Sequence, residues 1–261
     1  RKTFSRDIME ARMDVQAYLD RIEYRGPLRC DQETLRQVHL AHLLHVPFEN
    51  LSIHALEPIV LDDAALFEKI VTRRRGGFCY ELNGLFAALL RELGFEVAML
   101  SAQVANDRGE FSCDLDHMTL MVGIKQARWL ADVVFGDSFI EPLPLETERE
   151  NRQRESSYRI VCQNERMLLE QAKNSEWKAQ YRFSLTPYQY SDYLEMCQYH
   201  QTSPDSHFTR QRICSRLTGA GRISLSDMRF IVTEDDRREE RLLTNQDEYS
   251  RILREHFGIV I

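Results

Sequence analysis

Through the first third of the chain, apolar positions recur at helical spacing. Val15, Leu19 and Ile22 lie three and four apart and predict a helix over 13–25, closed by Gly26-Pro27. Thr34 is a start signal for a second helix with Leu35, Val38, Leu40 and Leu43, which stops before Pro47. Asp62-Asp63 caps a third, through Leu66, Phe67 and Ile70. Gly76-Gly77 then interrupts the chain. From Tyr80 to Leu93 the residues Leu82, Leu85, Phe86, Leu89, Leu90 and Leu93 form one stripe, which Gly94 ends. From residue 95 the rhythm shortens. Strands are expected at 95–104, 118–124, 128–134, 158–161, 168–170 and 177–183, with a turn at 106–109. The charged stretch 146–157 predicts a solvated loop. Helix returns over 188–199, strands over 208–217 and 223–232, and a closing helix over 249–257. The order is helical (1–94), β-rich (95–187), then mixed (188–261), an α+β chain without internal repeats.

Composition narrows this picture. A length of 261 residues fits about two domains, or three small ones. Hydrophobic content of 43% suffices for a packed core. No 18-residue apolar run is present, so no membrane span is expected. The formal charge of −7 argues against nucleic acid, whose binders show a basic face. Six cysteines without a CxxC pair, and no secretory leader, predict reduced thiols and a cytoplasmic protein. Residues 1–12 read as an extension.

Candidate chemistry centres on Cys79, in the run Arg75-Gly76-Gly77-Phe78-Cys79-Tyr80-Glu81. The glycines allow a sharp turn and a close approach. Cys79 falls at a helix start, where the positive helix end favours thiolate. A lone cysteine is more often packed filler. Two further residues change that balance. His117 opens the strand Met118–Val122, and Asp132 interrupts the apolar run Trp129–Val134, where a carboxylate is costly without a partner. Cysteine as nucleophile, histidine as base and aspartate as the orienter of that base make an acyl-transferring set. His117 at a strand end and Asp132 on an exposed face are the plain alternatives. Cys113 and His117 lack the spacing of a zinc pair, and no metal is expected. His39, His42 and His45 read as a partly wet helix face. Arg73-Arg74-Arg75 reads as helix-end charge. Arg210, Arg212 and Arg216 offer a phosphate patch or a solvated face.

These segments together resemble the arylamine N-acetyltransferase family. The likeness rests on Pro47-Phe48-Glu49-Asn50-Leu51, on Arg75-Gly76-Gly77-Phe78-Cys79-Tyr80-Glu81, on His117-Met118 and on Asp132-Val133-Val134-Phe135-Gly136. The separations, 38 residues from Cys79 to His117 and 15 from His117 to Asp132, are family-like. Ser203-Pro204-Asp205-Ser206-His207-Phe208 is a weaker echo, and Val134 departs from the commoner glycine. The resemblance implies an N-terminal helical bundle, a β-barrel-like middle domain and an α/β lid around a papain-like Cys-His-Asp core. It implies acetyl-CoA as co-substrate, an aromatic amine as acceptor, and Phe48 and Phe135 beside the acceptor. Glu49 and Arg75 could brace the nucleophile turn. A monomer or homodimer is expected. Competing readings are an amide synthase on the same scaffold, a transglutaminase-like or protease activity, and a ligand-binding module with an unreactive Cys79.

Overall fold

The computed structural model describes residues 13–134, 138–173, 176–234 and 237–261. The first of three apolar cores gathers the N-terminal helices. Helix α1 (Val15–Arg21) buries Tyr18 and Leu19. Helix α2 (Gln32–His45) starts earlier than Thr34, because Asp31 caps it by accepting from Thr34 N at 2.9 Å. His39 and His42 on α2 are fully buried, not a wet face. A two-residue strand β1 (Phe48–Glu49) and a turn of helix α3 (Leu51–His54) follow. Helix α4 (Asp63–Phe67), capped by Asp62 as expected, widens into a π-helical turn over Glu68–Thr72. Helix α5 (Cys79–Glu92) is buried on every face from Cys79 to Leu90. An all-round buried helix of this kind is the central strut of a core. Gly84 lets the Tyr190 ring lie against α5, since a Cβ there would stand 2.6 Å from ring atoms. Gly94, at φ +91°, ends the helix.

Strands β2 (Glu96–Val104), β3 (His117–Ile124), β4 (Ala127–Ala131), β5 (Leu143–Pro144), β6 (Asn151–Gln153), β7 (Ser156–Gln163), β8 (Arg166–Lys173) and β9 (Glu176–Tyr188) form one antiparallel sheet in the order β5-β4-β3-β2-β9-β8-β7-β6. Its first and last strands are joined by only the short link 145–150, so the sheet curls towards closure. Gln153 fastens the seam: its Oε1 accepts from Ile140 N and Glu141 N, and its Nε2 donates to Glu141 O. Part of the expected loop 146–157 is therefore strand, recruited by edge pairing that its polar side chains do not announce. Leu100, Leu130, Tyr158, Leu169, Tyr181 and Phe183 pack inside the curl, while α5 covers the outer face of β2 and β3.

The remainder opens with α6 (Tyr190–Thr202) and the short α7 (His207–Arg210), so the strand expected from 208 begins with a helical turn. Strands β10 (Ile213–Leu217), β11 (Gly221–Ser226), β12 (Arg229–Glu234) and β13 (Arg237–Leu242) join β1 in the order β1-β10-β11-β12-β13. The single strand expected over 223–232 is a hairpin turning at Asp227, φ +47°. Helix α8 (Gln246–Ile252), extended by a π-helical turn Leu253–Phe257, packs on this sheet through Tyr249, Ile252 and Leu253.

Strand β1 is the mechanical junction. Phe48 bridges Gly77 on one side and pairs with Ser215 on the other. Glu49 N donates to Gly77 O at 2.9 Å. Among the described residues no helix is long and apolar enough to cross a membrane.

Candidate active site

The turn that leads into Cys79 is held by charge buried around it. Arg75 Nη2 lies 2.9 Å from Glu49 Oε1, with both side chains almost wholly buried. Glu49 Oε2 also accepts from Leu51 N at 2.7 Å. Burial would raise the Glu49 carboxyl, but Lys69 and Arg75 outweigh it and hold it low. One turn on, Glu81 reaches back to the N–H of Phe78 at 3.1 Å and pairs with Lys69 at 2.7 Å. Here burial wins and the Glu81 carboxyl is raised, with Lys69 opposing. The expected Glu49–Arg75 brace is present, and Lys69–Glu81 is a second one. Gly76 and Gly77 serve close approach, not a left-handed turn. A Cβ on Gly76 would stand 2.0 Å from Pro47 O; the left-handed residue of the turn is Arg74, φ +53°.

Cys79 is the first residue of α5 and is buried. Burial pushes its thiol well above the ordinary value, although the Met118 N–H bonded to the sulfur opposes the rise; Asp116 and Asp132 add to it. Burial at Cys79 thus works against the helix N-terminus, which favours the thiolate. His117 begins β3, and Asp132 lies one residue past β4, not within the strand. Adjacent strands thus bring them together, with His117 Nε2 2.6 Å from Asp132 Oδ2 and both side chains buried. Asp132 Oδ1 accepts from Asn83 Nδ2 at 2.9 Å and from Val134 N at 3.2 Å, and the Tyr181 hydroxyl reaches the same carboxylate. Burial would raise the Asp132 carboxyl, but the His117 ring and these donors keep it below the usual range.

Cys79 and His117 line one cavity of about 680 Å³. Its walls come from all three stretches of chain: Phe48, then Val104 to Val134, then Tyr199 to Ser224. A cavity of this size suits a small organic ligand.

A family model described as N-acetyltransferase matches residues 31–261. The chain belongs to the arylamine N-acetyltransferase family. It is 32% identical to the arylamine N-acetyltransferase of Escherichia coli over 93% of this chain and 87% of that one. It is also 32% identical to a proansamycin X synthase of Amycolatopsis mediterranei, over 92% of this chain and 95% of that one. Among solved structures, the arylamine N-acetyltransferase of Mycobacterium marinum in complex with CoA superposes with a TM-score of 0.87 at 31% identity, covering 94% of this chain and 93% of that one. The mixed helix-and-sheet fold with its nearly closed sheet is the fold of these relatives.

Within this family member, Phe48 lines the cavity and its ring centroid is 6.1 Å from that of Phe208. Phe135 lies outside the described residues. Val134 also lines the cavity. Of the three arginines singled out earlier, only Arg210 reaches it. Arg212 stacks on Tyr249, and Arg216 is tied to the carbonyls of Leu44 and His256. Among the described residues no group of three or more possible metal ligands converges.

Three supports of the site carry little or no signal in the sequence. Asn83 binds Asp132, the Met118 carbonyl and, through its oxygen, Val133 N. An amide inside an apolar stripe, one turn after Cys79, was the available signal. His39 accepts from Asp132 N at 3.2 Å and donates to Ile140 O at 3.0 Å; burial lowers its imidazole to about 4, so it stays neutral in this role. Tyr181 carried no local signal at all.

Proposed function

We propose that this protein transfers acetyl from acetyl-CoA to aromatic amines or arylhydrazines through an acetyl-cysteine on Cys79, in ping-pong order, with O-acetylation of N-hydroxyarylamines as a related outcome. The observation that carries the proposal is the cavity shared by Cys79 and His117, with His117 held by Asp132 at 2.6 Å.

With Nε2 donating to Asp132, neutral His117 keeps its lone pair on Nδ1. A lone thiolate is disfavoured by burial, but a thiolate–imidazolium pair carries no net charge. The proton therefore passes from sulfur to the ring rather than to solvent. The thiolate attacks the thioester carbonyl carbon. The Met118 N–H, already bonded to the sulfur, is the backbone donor at hand for the oxyanion. The intermediate collapses, and the coenzyme A sulfur leaves with the proton held by His117. One thioester has replaced another, so the acetyl group stays reactive. The amine then attacks, His117 takes its N–H proton, and Cys79 departs and is reprotonated as the amide leaves. The stretch 188–261 serves as a lid that keeps water from the acetyl-enzyme, 1–94 as the unit carrying the nucleophile, and 95–187 as the unit carrying base and carboxylate.

Intact mass after mixing with acetyl-CoA alone tests this. One acetyl group on the wild type and none on Cys79→Ser is expected; an unmodified wild type would overturn the scheme. Similarity to the proansamycin X synthase favours a second reading, amide synthesis without coenzyme A. Turnover of acetyl-CoA with a simple aniline separates the two.

A further inference from the structure

The cavity wall holds a second histidine–carboxylate pair that the acetyl-transfer scheme does not use. Asp116 precedes His117, lines the cavity and keeps its side chain 20% exposed. His200, on α6, is buried. Its Nε2 is 3.3 Å from Asp116 Oδ1 and equally 3.3 Å from Asp116 O, while Nδ1 is 3.3 Å from Ser206 Oγ. One tautomer satisfies all of these. Nε2–H donates to Asp116, and Nδ1 accepts from the Ser206 hydroxyl. The ring is wedged between residues flanking the nucleophile and the aromatic wall: centroids lie 6.3 Å from Phe78, 6.0 Å from Tyr80 and 5.1 Å from Phe208. It has no freedom to turn away from Asp116. Ser112, also on the cavity wall, adds a hydrogen bond to the same carboxyl group.

The outcome is a carboxylate fixed in place on the cavity wall. Burial would raise it, but His200 and Ser112 outweigh that and keep it ionised. The cations of the cavity, Arg210 and Arg222, belong to α7 and the five-stranded sheet, where Arg210 donates to Asp205 O and Arg222 to Ser215 Oγ. Asp116 therefore places negative charge next to His117 and close enough to the Cys79 sulfur to raise its thiol, while Asp205 lines the cavity beside Arg210. Nothing in acetyl transfer calls for it. A carboxylate here opposes thiolate formation, and beyond its bonds to His200 and Ser112 it keeps exposed surface on the cavity wall for a ligand to meet.

We infer that Asp116, positioned by His200, is an acceptor-specificity residue that selects aromatic amines carrying a second, cationic or N–H-donating group and rejects carboxylated ones. The inference rests on the acetyl-transfer reading and names the acceptor class for it. A donor group on the acceptor ring meets an ionised acceptor at Asp116; a ring carboxylate meets like charge in a poorly solvated wall, which is the costlier error.

The test uses three acceptors of equal shape, 4-aminobenzamidine, 4-aminobenzamide and 4-aminobenzoate, with acetyl-CoA as donor. In ping-pong order, the ratio of acceptor kcat/KM values cancels everything that happens during thiol acetylation. Asp116→Asn should lower the amidine-to-carboxylate ratio by about tenfold or more, the worth of one hydrogen bond to a charged group. His200→Leu should move the ratio in the same direction by less. Release of 4-nitrophenol from 4-nitrophenyl acetate monitors the cysteine half-reaction separately. A ratio unchanged in both variants, with that release intact, overturns the inference. If Asp116→Asn does not fold, His200→Leu decides alone. No release from the wild type would instead bring down acetyl transfer itself.

Discussion

Asp116 and His117 are neighbours in the chain, yet each belongs to a different histidine–carboxylate pair, and the pairs are built in opposite senses. In His117–Asp132 the carboxylate is sealed, surrounded by Asn83, Val134 N and Tyr181, and the ring is what borders the cavity. In His200–Asp116 the ring is the more deeply buried partner and the carboxylate keeps a fifth of its surface. The contact is 2.6 Å in the first and 3.3 Å in the second. A sealed carboxylate acts only through its ring, by fixing a tautomer and steadying a positive charge. An open one acts on whatever enters. Burial thus withholds Asp132 from the cavity, while Asp116 borders it together with its histidine.

Breaking the sealed pair should have the largest effect. Asp132→Asn keeps the shape but inverts the hydrogen-bond demand on the ring, and kcat should fall on the order of 10⁴-fold in an acetyl-CoA assay. A loss under tenfold would mean that His117 needs no carboxylate. Asn83→Ala removes one donor from Asp132 and leaves the Met118 carbonyl and Val133 N short of a partner. A hydrogen bond to a charged group is worth about 1.5–3 kcal/mol, so kcat should drop about 10- to 100-fold. Unchanged kcat would show that Tyr181 and Val134 N suffice.

The seal also has a pH signature. His39 in the unfolded chain takes a proton near pH 6.5, but in the folded protein only near 4, because it is buried. Between those values the unfolded state binds more protons, so stability falls as pH falls across that window. The contribution reaches about 3 kcal/mol at its lower end. His42, likewise lowered by burial, adds to the same slope. Asp132 contributes in a lower window, since its stabilisation is lost only as pH falls through its depressed value. Thermal melts from pH 7 to 4.5 should show the decline, and His39→Gln should flatten it. An equal slope in the variant would place the acid sensitivity elsewhere. The smallest effect concerns the open pair: Asp116→Asn removes the charge but keeps an oxygen that can accept from His200, so it should cost about 1–2 kcal/mol of stability. A loss as large as that of Asp132→Ala would make Asp116 structural rather than selective.

Much of the scaffold around the sealed pair was legible. The stripe over Tyr80–Leu93, bounded by two glycines and Gly94, marked a helix with Cys79 at its start, and a carboxylate in the apolar run 129–134 was costly without a partner; the burial of that helix on every face was not written in the stripe. The supports were not legible for a physical reason. His39 and Asn83 are polar residues whose burial depends on groups distant in the chain, and periodicity registers only apolar positions. Strand β13 failed for the converse reason. It is wholly exposed from Arg237 to Leu242 and charged at every position but Leu242, and is a strand only because β12 lies beside it. Asp116 looked like an unremarkable neighbour of His117 until α6 placed His200 against it.

The two residues of β1 carry a consequence for biosynthesis. They border Gly77 on one flank and Cys214 and Ser215 on the other, so the ribosome delivers the sulfur long before it delivers the segment that completes its surroundings. A nascent chain must release β10 before Glu49 gains its second neighbour and the cavity its far wall. The thiol is made early, and the wall that completes its cavity is made late, so the two meet only when nearly all of the chain has been synthesised.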